Sequence, residues 1–296
     1  MNISTETRRE IPASARPWLA LSLLAAGLAL ACSAWTLANQ GLYVDLTAAF
    51  LPQALAQDLV NLFVVSPAII VLALLALRGS VRAAALWLGA LLFTVYNYVI
   101  YVVAIPFGPM FLPWVAVLGL SLFSVLGVAA CVDRSELLTG YRDLRAARAS
   151  AVALIIVAVL FGLLWLSEDV PALLNGTTPQ TLVDVGVITN PVHVLDLAFF
   201  LPATLLVAAL WLRGEPRAGT VAPAFLVFTV LTGLPILATP IVQAVRGETA
   251  EWAVAIPIGI VTVVVLALLA WLLAVMRPYS AWTARTIEIR LAMTDG

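Results

Sequence analysis

Eight apolar stretches, each about long enough to cross a bilayer, divide this sequence, and its arginines flank them almost entirely on one side. An α-helix rises about 1.5 Å per residue, so roughly 20 apolar residues cover ~30 Å of hydrocarbon. Such stretches run over residues 17–37, 59–77, 83–105, 110–132, 149–167, 194–212, 218–242 and 252–276. Inside hydrocarbon, backbone polar groups must be bonded within the protein, which makes long apolar runs helices. The expected fold class is therefore all-α, a polytopic membrane helical bundle of eight transmembrane helices. The fifth stretch is the shortest. The seventh is the least regular and reads as a broken helix, with Gly233, Pro235 and Pro240 in its outer half.

Threading the chain from a cytoplasmic N-terminus puts Arg8, Arg9, Arg16, Arg78, Arg82, Arg134, Arg142, Arg145, Arg148, Arg213, Arg217, Arg277, Arg285 and Arg290 on one face, and Arg246 alone on the other. Cytoplasmic loops collect arginine. The partition predicts a multi-pass protein of the cell (cytoplasmic) membrane with its N- and C-termini cytoplasmic. It tests every span together, because one missed helix would scramble the alternation. The opposite face carries Asp45, Asp58, Glu168, Asp169, Asp184, Glu248 and Glu251. Trp18, Trp35, Trp114, Trp165, Trp211 and Trp252 fall near span ends, as an interfacial aromatic belt requires.

Composition narrows the chemistry. Charged residues make up 10% of the 296, too few to cover a water-facing surface. A net charge of −1 leaves no basic footprint for nucleic acid. No lysine occurs, which removes P-loop and Schiff-base chemistry. One histidine and scattered carboxylates are too few ligands for zinc or iron, so neither a metal nor a cofactor is expected. Ser121 lies roughly 15 Å deep in its span while His193 opens another, so the two do not make a nucleophile–base pair. The expected surroundings are the lipid bilayer, and no feature sets an oligomeric state.

A shift of 135 residues aligns the two halves without a gap through the second span and most of the third. Pro67 falls on Pro202, Arg78-Gly79 on Arg213-Gly214, Arg82-Ala83 on Arg217-Ala218, and Phe93-Thr94-Val95 on Phe228-Thr229-Val230. Gly41 meets Gly176 in the same register. Leucine and alanine coincide by chance in such a chain; proline, arginine and glycine in one register do not. The reading is a duplication into two parallel four-helix repeats, residues 1–135 and 136–296, related by a pseudo-twofold axis along the membrane normal. Pro67 and Pro202 are expected to kink equivalent helices, and Pro235 and Pro240 to kink the seventh.

Polar residues within spans are the strongest functional signal in a membrane chain, because each costs free energy unless satisfied. Here they gather at the outer face. The second span opens with Asp58 and Asn61, the sixth with His193 and Asp196, each pair spaced i, i+3 on one helix face. The shift superposes Asp58 on His193 and Asn61 on Asp196, so the two pairs are expected to face each other across the axis. Tyr96, Asn97, Tyr98 and Tyr101 crowd the outer half of the third span, where the copies stop matching. These eight residues are the candidate ligand-binding set, and a small-molecule or lipid ligand on the outer side is the partner they would take. Binding or transport of a small molecule, ion or lipid is the leading function. The alternatives are a membrane-embedded enzyme with His193 and an aspartate as acid and base, or a non-catalytic subunit or scaffold.

Overall fold

The computed structural model describes residues 13–131 and 139–278; Arg8, Arg9, Arg134, Arg285 and Arg290 lie outside these. Among the described residues eight helices are long and apolar enough to cross a membrane: α1, Ala13–Ala38; α2, Leu51–Leu77; α3, Val81–Ala104; α4, Phe111–Ala130; α5, Leu144–Asn175; α6, Pro191–Leu212; α7, Pro216–Val245; and α8, Trp252–Val275. The protein is a multi-pass, all-α helical bundle, as the apolar runs predict. Phe63, Phe123, Leu163, Phe199, Leu206 and Ile260 stand exposed on its outer surfaces. In water such a surface would aggregate; against lipid tails it is solvated.

Three helices differ from their sequence-based limits. α2 begins at Leu51 rather than 59, which draws Gln57 and Asp58 into the helix. α5 runs to Asn175 rather than 167 and, at 32 residues, is the longest span instead of the shortest. Counting apolar residues stops at Glu168 and Asp169, yet both are satisfied on the helix, which ends only where Gly176 turns left-handed at φ 63°. α7 is continuous through Pro223, Pro235 and Pro240 rather than broken.

Pro67 and Pro202 widen their helices. Each lacks the N–H that would reach the carbonyl four residues back. The preceding turns open into π-helix over Asn61–Val65 and Asp196–Phe200. There Ser66 N–H bonds to the Asn61 carbonyl and Leu201 N–H to that of Asp196, five residues back in each case. Both π turns begin on a residue of the polar cluster, and their starts are 196 − 61 = 135 residues apart.

Within the first four helices, α1 packs on α2 and α4, and α3 on α2 and α4; α5 to α8 repeat this ring. α3 and α7 join the rings at the centre, with the outer end of α2 against α7 and that of α6 against α3. The central contact is close because α3 carries Gly89: a Cβ there would stand 2.5 Å from the Ala224 carbonyl oxygen and 2.6 Å from Val227 Cβ. On the arginine-bearing face, Gly79 (φ 88°) and Gly214 (φ 83°) turn the α2–α3 and α6–α7 hairpins. Ser80 and Glu215 then cap α3 and α7 through their side chains. Strands Thr139–Tyr141 and Met276–Pro278 pair antiparallel on that face.

Candidate functional site

Asp58, on α2, is 1% exposed and accepts three hydrogen bonds: from Thr36 Oγ1 of α1 at 2.7 Å, Tyr43 OH at 2.6 Å and Tyr101 OH of α3 at 2.9 Å. Tyr43 comes from the turn Gln40–Tyr43 after α1 and stacks on Trp114 of α4. Burial pushes its phenol well above its ordinary pKa, so the hydroxyl stays a donor. One turn inward, Asn61 Oδ1 accepts from Gln57 at 3.0 Å and from Asn97 of α3 at 3.3 Å.

In the other ring, Asn190 caps α6 by accepting from Val192 N–H and His193 N–H, which fixes His193 in the first turn. His193 Nδ1 lies 3.0 and 3.1 Å from the two carboxylate oxygens of Asp169, and Nε2 lies 4.0 Å from Glu168. The Trp165 ring stacks on the imidazole with centroids 4.4 Å apart, and its Nε1–H donates to Asp196 Oδ2 at 2.8 Å. Trp165, Glu168 and Asp169 are spaced i, i+3, i+4 on α5 and so share one face. Thr181, in the short outer helix Gln180–Val185, donates to Glu168.

The expected facing of the two i, i+3 pairs is not what the structure has. Asp58 and Asn61 bond to α1, the turn after it, α2 itself and α3; Asp196 bonds to α5. The carboxylate that meets His193 is Asp169, not Asp58. The reason is that α3 and α7 fill the centre, where the sequence reading places α2 against α6.

A cavity of about 470 Å³ opens between the rings and within the second one. α3 contributes Phe93, Tyr96, Asn97 and Tyr101; α5, Phe161, Trp165 and Glu168; α6, His193, Asp196, Phe200 and Thr204. α7 adds Phe228, Thr229, Thr232, Gly233 and Pro235, and α8 adds Ile258 and Thr262. Val185 and Val187 of the outer segment, with Gln53 and Gln57 of α2, border its mouth. Its inner end reaches Thr204, nine residues before Arg213 (213 − 204) or about 13 Å along the helix, near mid-membrane.

Five of the eight candidate residues line this space: Tyr96, Asn97, Tyr101, His193 and Asp196. Asp58 and Asn61 stand behind Tyr101 and Asn97 and hold them by hydrogen bonds. Tyr98 is fully buried against Tyr101 with its hydroxyl unpartnered and does not line the cavity. Of the prolines, Pro235 lines it and Pro67, Pro202 and Pro240 do not.

Trp165, Tyr43 and Thr36 escape the sequence reading. A tryptophan near a span end reads as belt, although its i, i+3, i+4 spacing with two carboxylates marks a polar face. Tyr43 and Thr36 carry no local signal, because only tertiary packing brings them to Asp58. Among the described residues no cluster of three or more His, Cys, Asp or Glu has the arrangement of a metal site. No family model matches the chain, and searches of curated proteins and of solved structures give no match.

Proposed function

We propose that this membrane protein binds a small amphipathic molecule in the cavity between its two halves, for carriage or sensing across the membrane. The observation behind this is the cavity: about 470 Å³, within the usual range for small-molecule sites, with Glu168, His193 and Asp196 gathered at one end and a largely apolar remainder. A scaffold whose polar groups merely lock helices has no use for such a void. The arginine-bearing face is the cytoplasmic one on this reading, so the mouth opens outward. The halves, residues 1–135 and 136–296, derive from a duplication, a view supported by the two π turns and two glycine hairpins in one register.

Native mass spectrometry of protein purified in lipid nanodiscs tests the binding reading. Wild type is expected to carry a small-molecule adduct that a cavity-filling Thr232→Phe variant lacks. Identical spectra from the two proteins contradict it. Uptake separates a carrier from a passive binder: His193→Gln is expected to leave protein level intact and to lower flux.

One observation favours a second reading, a membrane-embedded enzyme. The 3.0 Å contact of His193 Nδ1 with Asp169 orients an imidazole at the cavity edge as an acid–base group. That reading requires chemical conversion of the bound adduct by wild type and none by Asp169→Asn. Recovery of unchanged adduct after incubation contradicts it.

A further inference from the structure

The charge and aromatic lining of the cavity define its ligand more narrowly. Building on the binding reading above, we infer that the ligand is a cationic amphipath: an ammonium headgroup held at Asp196, with an apolar body lying along Phe200 and Phe228 towards mid-membrane. Asp196 is 7% exposed and accepts from the Trp165 indole, where Asp58, the acid of the first ring, accepts from three hydroxyls. Its side chain belongs to the cavity lining, and that of Asp58 does not.

The Tyr96 side chain, 4% exposed and lining the same space, brings its hydroxyl to Asp196. A carboxylate bordering a cavity in a membrane interior is costly without a counter-charge, and a multi-donor cation supplies one. Glu168 also lines the cavity, and among the described residues no arginine does. The single imidazole is already matched by Asp169. An anionic headgroup would meet like charge with no counter-ion, while an ammonium meets carboxylate and ring faces, the two partners such ions favour. Below this level, Phe200 and Phe228 stack at 4.1 Å with Tyr96 edge-on to both, which forms an apolar wall for the remainder of the molecule.

Saturable binding of radiolabelled decylamine, decanol and decanoate to protein in nanodiscs, with empty nanodiscs subtracted, tests this. The three probes share a chain and differ in headgroup charge. Decylamine is expected to bind tightest, decanoate not at all, and Asp196→Asn to weaken decylamine by about tenfold or more while leaving decanol nearly unchanged. Decanol or decanoate binding as well as decylamine, or an Asp196→Asn protein that binds the amine normally, overturns the cationic assignment and leaves the cavity reading standing. Saturable binding of none of the three contradicts both. Thermal unfolding of the Asp196→Asn protein distinguishes lost binding from lost fold.

Discussion

The two rings handle the same problem, an acid near the membrane boundary opposite the arginine-bearing face, in opposite ways. In the first, small α1 residues let the helices close: Ser33 and Thr36 are fully buried, and Asp58 ends with three hydroxyl donors, outside the cavity lining. In the second, α5 presents Trp165, Glu168 and Asp169 at positions where, 135 residues earlier, α1 has the smaller Leu30, Ser33 and Ala34. There Asp196 accepts from Trp165, and a cavity lies beside it. Similar helix packing thus surrounds a polar lock in one ring and a cavity beside the other ring's acid.

The sharpest way to break this contrast is to treat both acids alike. Asp58→Ala strands three buried hydroxyls and is expected to cost about 4 kcal/mol of stability in detergent-induced unfolding. Asp196→Asn keeps an acceptor for Trp165 and should cost under about 1 kcal/mol. Equal losses would mean that both acids are locks. Next in size is the junction: Gly89→Val drives a side chain into the α7 backbone and is expected to cost about 3 kcal/mol, read as a fall in thermal midpoint.

Tyr43→Phe removes one donor of the lock and should cost about 1.5 kcal/mol. Its pH dependence has a definite sign. Burial holds the folded phenol above its ordinary pKa of 10.0, so its contribution is full below about pH 10 and falls as pH rises further. The difference in stability between pH 9 and pH 11 (about one unit either side of that value) should therefore shrink in Tyr43→Phe. Smallest is Thr181→Val at the mouth, an exposed change expected within about 0.5 kcal/mol in unfolding, with faster ligand release from the second ring only.

Much of this was legible in the residues. Eight apolar runs predict the eight helices, and the register match of Arg78-Gly79 with Arg213-Gly214 falls on two glycine turns. The proline kinks take the form of π turns because the missing N–H is absorbed one turn earlier. Helix ends were illegible where a polar residue inside a helix finds a tertiary partner, as Glu168 and Asp169 do with Thr181 and His193. Five of the eight candidate residues reach the cavity because membrane-embedded polar groups face protein rather than lipid. Which polar group pairs with which was not legible, since that depends on α3 and α7 taking the centre, and the tight glycine contact there leaves no trace in hydropathy.

The claim that only the second ring is open is tested most directly at Thr94 and Thr229, matched residues 135 apart whose hydroxyls bond identically placed carbonyls, Ala90 and Phe225. Thr94 is buried in the core and Thr229 lines the cavity. With Cys32 and Cys131 replaced by alanine, each threonine is changed to cysteine in turn and exposed to a small cationic methanethiosulfonate reagent. Rapid modification of Thr229→Cys, slowed by decylamine, and none of Thr94→Cys is expected. Equal modification of both, or of neither, contradicts it.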